Sequence, residues 1–360
     1  MNGLANCMKN ESTRISRRRF VSAATLATAA LSLPNLICKR TLGSPTSHPR
    51  RIPVVLATDI GGDIDDTWAL GLLLKSPELD LKLVVTDYGK PQYRGTLIAK
   101  FLQTTGHGDI SIGLGPDVYA DSVDAQAAWL GDYDLRSYKG TIHQDGAKAL
   151  VDTLMTSPEA PTLISIGPTP TIAAALTLEP RIADRTRFVG MFGSIRVGYY
   201  GSQTPSAETN VKVAVKPAQQ VLSAPWNITI TPLDTCGLVT LEGDRYRRLL
   251  ASKDPVVAAI IENYRLWTRS IPAEWSRALD PDKRMSEERS TVLYDTAAIY
   301  LAITQDLCTM ERLDIRVTDD GFTRIDPSGK PMNVASAWKD LEAYKDFLVN
   351  RLLGNAPVRK

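Results

Sequence analysis

The sequence predicts an α/β protein with a mostly parallel, Rossmann-like sheet flanked by helices. From Ile52 onward, short apolar runs rich in β-branched residues alternate with longer amphipathic segments, which is typical of strands and helices in such a fold. The chain is 43% hydrophobic and 23% charged, a globular composition that supports a buried core. Because no internal repeat or linker interrupts the pattern, we expect one domain over residues 51–360.

The apolar runs and amphipathic segments give the positions of the elements. Strands are predicted over Pro53 to Thr58, Leu81 to Thr86, Ile110 to Leu114, Thr162 to Ile166, Arg187 to Met191 and Trp226 to Thr231. Helices are predicted over Thr67 to Lys75, Tyr93 to Thr105, Asp145 to Thr156, Thr171 to Leu178, Pro217 to Ser223, Pro255 to Thr268, Thr291 to Thr304 and Ser336 to Leu353.

Residues 1–50 have the features of a leader and linker. Residues 16–21 read SRRRFV and precede an Ala-rich apolar run, which resembles a twin-arginine signal of the form Ser/Thr-Arg-Arg-x-Phe-Leu. That run is too short and too weakly hydrophobic for a stable membrane span. We therefore expect a periplasmic or extracellular protein exported by the twin-arginine route. The alternative is a basic tail that is disordered or amphipathic.

Charge and residue usage exclude several classes of function. Residues 1–50 hold eight of the 42 Lys and Arg residues but one of the 40 Asp and Glu residues, so the rest of the chain carries a net charge of about −5. This balance gives no reason to expect a nucleic-acid partner. The four cysteines show no C-x-x-C spacing and the three histidines form no metal-binding pair, which argues against a zinc site or a disulfide framework.

The strongest motif is the acidic loop that follows the first predicted strand. Residues 58–66 read TDIGGDIDD, with four carboxylates that would repel one another without a cation. Carboxylate oxygens suit calcium or magnesium, and the two glycines allow the loop to curl around an ion. A solvated turn whose last Asp caps a helix is the simpler alternative. Ala57 stands two residues before Asp59, which excludes a phosphatase D-x-D nucleophile.

The segment TDIGGDIDDTWAL resembles the signature loop of the nucleoside hydrolase family, D-T-D-x-G-x-D-x-D-D-A-x-A-L. Three further stretches are similar to family landmarks: LISIGPTPTIA at 163–173, MFG with AETN at 191–193 and 207–210, and LYDTAA at 293–298. The resemblance runs from about Ile52 to Tyr344. It implies the nucleoside hydrolase fold and calcium-dependent hydrolysis of the N-glycosidic bond of ribonucleosides, which yields ribose and free base.

The resemblance also implies roles for individual residues. Calcium would be held by Asp59, Asp66, Asp295 and the backbone carbonyl of Ile166, and would bind and activate the attacking water. Asp59 or Asp65 would accept the proton of that water.

A second group of residues would contact the sugar and the leaving base. Asp65, Glu208 and Asn210 would bind the ribose hydroxyls, with Ser202 in a position where the family often has Asn. Tyr294 stands where many purine-active members have the His that protonates the departing base.

The sequence departs from the family pattern at two further points. Ala57 replaces an acid that supports the loop, and an Asn expected after the second strand is missing. Asp87 or Lys90 could approach the site there. Asp63 is an extra acid of the loop, to which we assign a supporting role.

Two other functions and several details stay open at this point. The protein could be a noncatalytic periplasmic nucleoside or sugar binder, or a related ribosyl glycosidase. The sequence does not determine the base preference, purine or pyrimidine, or the oligomeric state, for which a homo-oligomer (dimer or tetramer) is one option. Aromatic residues that could stack on the base are Trp129, Tyr133, Tyr199, Tyr200 and Trp275.

Overall fold

The computed structural model describes residues 51–118, 123–280 and 282–355, so the predicted leader and linker lie outside the described residues. A ten-stranded sheet forms the centre of this part of the chain. Its strands are β1 (Ile52–Thr58), β2 (Leu79–Thr86), β3 (Ser111–Gly113), β4 (Ile142–His143), β5 (Thr162–Ser165), β6 (Arg187–Met191), β7 (Asn227–Thr231), β8 (Cys308–Val317), β9 (Thr323–Ile325) and β10 (Lys330–Trp338).

The strand order is β4-β3-β2-β1-β5-β6-β7-β10-β8-β9. Every pairing from β4 to β10 is parallel, whereas β8 pairs antiparallel with both β10 and β9. The prediction of a mostly parallel α/β sheet is therefore confirmed. Strand β10 comes last in the sequence but lies between β7 and β8.

Helices cover both faces of the sheet. They are α1 (Asp65–Leu74), α2 (Pro91–Thr104), α3 (Ala127–Leu130), α4 (Gly146–Thr156), α5 (Pro170–Leu178), α6 (Ile182–Arg185), α7 (Thr209–Lys212), α8 (Val215–Ser223), α9 (Leu233–Cys236), α10 (Gly243–Leu250), α11 (Pro255–Ser270), α12 (Ala273–Leu279), α13 (Thr296–Ile303) and α14 (Leu341–Leu352). None of these helices is long and apolar enough to cross a bilayer.

The alternation of side chains along the strands separates two apolar layers. Val54 and Leu56 of β1 face a layer that contains α1, α2, α11, α13 and α14. Val55 and Ala57 face the other layer, which contains α4, α5, α6 and α8. The fold is thus three layers deep, and the parallel strands from β4 to β10 are buried between helices.

The C-terminal part differs from the sequence prediction. The predicted helix from Ser336 to Leu353 is wrong at its start, because Ser336 belongs to β10 and α14 begins at Leu341. The side chain of Asp340 accepts a hydrogen bond from the N–H of Ala343 at 2.9 Å and so caps the true helix start. The predicted helix from Thr291 likewise begins later, at Thr296, and strands β4, β8, β9 and β10 were not predicted.

Candidate active site

Three carboxylates meet at the carboxyl-terminal edge of the sheet. Asp65 and Asp66 begin α1, and Asp295 is the N-cap residue of α13, a helix that packs against α1. One oxygen of each carboxylate lies within 4.8 Å of the others, and all three residues are buried. We call Asp65, Asp66 and Asp295 the acid cluster. The structure therefore brings together residues that are more than two hundred positions apart in the sequence.

Asp59 lies beside the acid cluster, at the end of β1. A Cβ atom at Gly167 would be 2.5 Å from Oδ1 of Asp59, so only glycine fits at that point of the turn after β5. Burial raises the pKa of Asp59, while the charge of Arg94 opposes this increase. The negative charge of Asp59 in turn raises the pKa values of Asp65, Asp66 and Asp295.

The acid cluster carries more negative charge than its surroundings neutralise. Burial is the main cause that raises the pKa values of all three carboxyls well above their usual range. The charge of Asp65 also raises the pKa of Asp295, so these carboxyls tend to retain protons. A cation could replace such protons, because a hard divalent ion binds carboxylate oxygens and displaces their protons.

The residues predicted to bind ribose lie around the start of α7. Glu208 is buried, and its carboxylate accepts hydrogen bonds from the backbone N–H groups of Asn210 at 2.7 Å and Gly193 at 3.0 Å. Burial raises the pKa of Glu208 to about 7. The Nδ2 group of Asn210 donates to the carbonyls of Met191 at 3.1 Å and Ile166 at 3.3 Å. These contacts join the ends of β5 and β6 to the predicted ribose-binding residues.

Comparison with known proteins identifies the family. Residues 54–345 match the model of the inosine-uridine preferring nucleoside hydrolases. The chain belongs to this family. It is therefore an enzyme that hydrolyses N-glycosyl bonds.

Curated relatives of this nucleoside hydrolase cover most of its length. The non-specific ribonucleoside hydrolase of Escherichia fergusonii is 26% identical over 321 residues, which are 84% of this chain and 98% of the relative. The pyrimidine-specific ribonucleoside hydrolase of Citrobacter koseri is 26% identical over 221 residues, 59% of this chain and 69% of the relative.

Solved structures share the fold. A plant nucleoside hydrolase superposes with a TM-score of 0.68 at 20% identity, covering 85% of this chain and 99% of its own. The purine-preferring ribonucleoside hydrolase of Gardnerella vaginalis gives a TM-score of 0.67 at 20% identity, with coverage of 84% and 99%.

Tyr294 precedes Asp295 in this nucleoside hydrolase, so it lies directly beside the acid cluster. Its ring is 6.1 Å from that of Tyr199 in an edge-to-face arrangement. Burial and the nearby charge of Asp63 raise the pKa of the Tyr294 phenol. The Tyr199 hydroxyl contacts the hydroxyl of Thr209 at 2.8 Å, which fixes this ring next to the segment that carries the predicted ribose-binding residues.

The other aromatic candidates lie in different surroundings. Trp129 is part of the buried core, where its ring lies near Phe101 and its indole N–H donates to Glu262. Tyr200 is exposed and has a left-handed backbone with φ of 59°. Of the five candidates, Tyr199 is the one in ring contact with Tyr294.

Ser202 and Lys90 form hydrogen bonds with residues outside the acid cluster. Ser202 is exposed, and its hydroxyl accepts a hydrogen bond from the N–H of Thr204 at 3.2 Å. The Nζ group of Lys90 donates to Asp124 at 2.8 Å. A role of Ser202 in ribose binding stays a prediction.

Asp87 is buried at the end of β2 and holds the start of α5. Its Oδ1 accepts hydrogen bonds from the N–H of Thr171 at 2.8 Å and of Tyr88 at 3.1 Å. Its Oδ2 has no hydrogen-bond partner among the residues that the structure describes. Burial raises the pKa of Asp87 to about 7. Asp87 thus serves as a helix cap supplied by a distant strand.

Two features of the site were not apparent from the sequence. Ala57 pairs with Val85 and Ser165 in the sheet and belongs to the apolar layer that contains α5, where an acid would be poorly solvated. Arg94 is completely buried. It donates to the backbone carbonyl of Ile60 in the acidic loop and to that of Gly89 in the loop after β2. The only sequence signal for Arg94 was a charged residue on the apolar face of a helix.

Proposed function

We propose that this protein hydrolyses the N-glycosidic bond of ribonucleosides with the help of a bound calcium ion, releasing ribose and free base. The observation that carries the proposal is the position of the acid cluster beside Glu208 and Asn210. The bond between Asn210 and the Ile166 carbonyl joins the predicted sugar contacts to a predicted metal ligand. Curated relatives that act on ribonucleosides, with broad or pyrimidine specificity, support the same substrate class.

The chemistry of the cluster fits a hard divalent cation. Asp59, Asp66, Asp295 and the carbonyl of Ile166 would supply oxygen ligands only, which favours calcium or magnesium over zinc. Between these two ions, the resemblance to the nucleoside hydrolase family favours calcium. When bound, the ion supplies Lewis acidity, which lowers the pKa of the attacking water.

The chain's own residues then complete the hydrolysis. Asp65 or Asp59 accepts the proton of the water whose oxygen forms the new bond to C1 of the ribose. The bond from C1 to the base nitrogen breaks, and its electron pair leaves with the base. This reaction passes through an oxocarbenium-like ribosyl group, which neighbouring carboxylates stabilise.

Glu208 and Asn210 orient the sugar. Both amide hydrogens of Asn210 are directed to backbone carbonyls, so Oδ1 is the atom that can accept a hydrogen bond from a ribose hydroxyl. The carboxylate of Glu208 accepts the N–H groups of Gly193 and Asn210 on different oxygens, and a carboxylate has about four acceptor sites, so it can also accept a sugar hydroxyl. Fixed acceptors of this kind place C1 against the water without a large loss of entropy in each turnover.

Tyr294 assists the departing base in this proposal. Its raised pKa keeps the phenol protonated, so the hydroxyl can donate a hydrogen bond to a base nitrogen as negative charge develops there. Tyr199 packs against its ring and completes one wall for the base.

Calcium use, location and assembly belong to the same proposal. Residues 1–50 act as a twin-arginine leader and linker, and residues 51–360 form the hydrolase domain, which works in the periplasm or outside the cell. The segment SRRRFV supports export by this route. The proposal includes a homo-oligomer, either a dimer or a tetramer.

A nucleoside panel tests the function. The mature protein is stripped of metal, loaded with calcium, and incubated with purine and pyrimidine ribonucleosides, and reducing sugar is measured. Release of ribose only with calcium present supports the proposal. Tight nucleoside binding without release would indicate the noncatalytic binder, and cleavage of other ribosyl compounds alone would indicate the related glycosidase.

A further inference from the structure

The carbonyls of the acidic loop are held from outside the loop. Five consecutive backbone carbonyls, from Asp59 to Asp63, each accept a hydrogen bond from a side chain elsewhere in the chain. The pairs are Arg94 with Asp59 and with Ile60 at 2.9 Å, Tyr93 with Gly61 at 3.0 Å, Trp267 with Gly62 at 2.9 Å, and Gln126 with Asp63 at 2.6 Å. We call Tyr93, Arg94, Gln126 and Trp267 the loop brace.

This arrangement differs from that of most loops, whose carbonyls face water. Tyr93 packs directly on the loop, because a Cβ at Gly61 would lie 2.6 Å from the tyrosine ring. Gly61 itself has φ of 116°, a conformation that glycine adopts readily and other residues rarely do. Steric contact and hydrogen bonding therefore both restrict the loop at this point.

The donors of the loop brace are themselves held in place. The Tyr93 hydroxyl accepts a hydrogen bond from the N–H of Gln126 at 3.0 Å. The side-chain oxygen of Gln126 accepts from the hydroxyl of Thr67 at 2.9 Å and from the amide of Asn263 at 2.8 Å. Asn263 and Trp267 lie on the same helix, α11. The brace is thus a connected network that joins α1, α2 and α11.

Arg94 adds a second loop and a charge. Its guanidinium donates to the carbonyls of Gly89 at 3.0 Å and Tyr88 at 3.2 Å, in the loop after β2. Tyr88 has a left-handed backbone with φ of 56°, an unfavourable conformation that these bonds help to retain. The positive charge also opposes the burial effect on the pKa values of Asp59 and Asp66.

We propose that the loop brace positions the carboxylates of Asp59, Asp65 and Asp66 for metal binding and catalysis. This inference rests on the proposed function, because it concerns the same site. The competing explanation is that these residues only stabilise the core. The two explanations differ in whether the loss of one donor loosens the acidic loop itself.

Single-donor variants separate these explanations. Tyr93→Phe and Trp267→Phe each remove one hydrogen-bond donor and retain an aromatic ring. Matched controls are Tyr138→Phe and Trp226→Phe, which remove donors to the carbonyls of Ile110 at 2.6 Å and Val221 at 2.9 Å, outside the loop brace.

Three quantities are measured on each full-length variant: hydrogen–deuterium exchange of a peptide covering residues 59–66, calcium affinity by calorimetry, and kcat with KM. We expect the brace variants to exchange the loop amides at least tenfold faster and to bind calcium at least tenfold more weakly. Their kcat should fall at least tenfold while KM changes less than threefold. The control variants should stay within twofold in all three quantities, even where their melting temperature falls equally.

The outcomes distinguish failure of the brace from failure of the function. Loop exchange and kcat that change no more in the brace variants than in the controls would overturn the positioning role. If wild type releases no ribose, the hydrolase proposal fails, and loop exchange then decides on the brace by itself. Accelerated exchange limited to the brace variants supports it in either case.

Discussion

The side-chain amide of Asn210 donates a hydrogen bond to the backbone carbonyl of Ile166, 3.3 Å away. The family resemblance implies a sugar contact for Asn210 and a metal contact for the Ile166 carbonyl, so this bond connects the two halves of the proposed site. A carbonyl oxygen has two lone pairs and can therefore serve the amide and a cation together.

Replacing Asn210 by Ala should weaken ribose binding more than metal binding. The loss of one hydrogen bond to a sugar hydroxyl costs about 1.5 kcal/mol, or roughly tenfold in KM. Calcium affinity should change less, because the Ile166 carbonyl remains. Steady-state kinetics and calorimetry measure the two effects. A larger loss of calcium affinity than of substrate affinity would contradict this division of roles.

Asp66→Asn and Tyr294→Phe should affect the reaction differently. Loss of a carboxylate ligand should lower ribose release from every substrate by orders of magnitude. Loss of the Tyr294 hydroxyl should cost less and depend on the base, because only a poor leaving group needs its hydrogen bond. Rates with nucleosides and with p-nitrophenyl riboside are compared. Equal sensitivity of both substrates to Tyr294→Phe would exclude a role in leaving-group assistance.

Calcium should raise the thermal stability of the protein. The acid cluster holds buried carboxyls that repel one another, and a ligand that binds only the folded state at one hundred times its Kd adds about 2.7 kcal/mol. A shift of several degrees in Tm is expected on addition of calcium to metal-free protein, and chelation should reverse it. An unchanged melting curve would rule out the proposed metal site. The same melts on Asp66→Asn, which lacks one proposed ligand, provide the matched comparison.

Asp87 should make the stability of the metal-free protein decrease with pH. Its pKa in the folded protein is about 7, against 3.8 for an ordinary Asp, so the folded state retains a proton that the unfolded chain has lost. Stability therefore falls as pH rises from about 4 to about 7, by on the order of 4 kcal/mol. Asp87→Asn retains the Oδ1 acceptor and removes this effect.

Denaturation of both forms at several pH values checks the prediction for Asp87. The variant should gain stability relative to wild type as pH increases, and the gain should reach its full size above pH 7. A stability difference that does not vary with pH would show that Asp87 is already ionised in the folded protein.

Export should depend on Arg17 and Arg18. Only Arg19 separates the pair from Phe20 and the apolar run, as in the Arg-Arg-x-Phe pattern of twin-arginine signals. Replacing both residues by Lys retains the positive charge but should leave precursor in the cytoplasm. Cell fractionation measures the distribution. Unchanged export would favour the interpretation of this region as a basic tail. Arg40→Lys, an Arg-to-Lys change outside the SRRRFV segment, is the control for the substitution itself.

The fold and the acidic loop could be predicted from the sequence because their signals lie in short, continuous segments. Strands β1 and β6 and the acidic loop each carry their signal within about ten residues, as an apolar run or a dense group of acids. The carboxyl ends of parallel strands meet at one edge, which assigned the acidic loop to the ligand crevice, and the family resemblance added Glu208 to the same site.

The loop brace depends on contacts that no local pattern reports. Gln126 and Trp267 reach the acidic loop from segments far away in the sequence, and each looks like an ordinary residue of a helix or turn. Strand β10 was missed for a similar reason. It borders the parallel β7 and the antiparallel β8, and its alternation of exposed and buried residues resembles an amphipathic segment.

The late position of β10 in the sequence governs when the enzyme can first act. During synthesis, β7 leaves the ribosome roughly a hundred residues before β10, and at typical translation rates it presents an open edge for about 5–20 s. Every predicted site residue precedes Lys330, where β10 begins. A nascent chain that stops short of Lys330 would thus contain the whole set of site residues and still lack activity, because the sheet beneath them is incomplete.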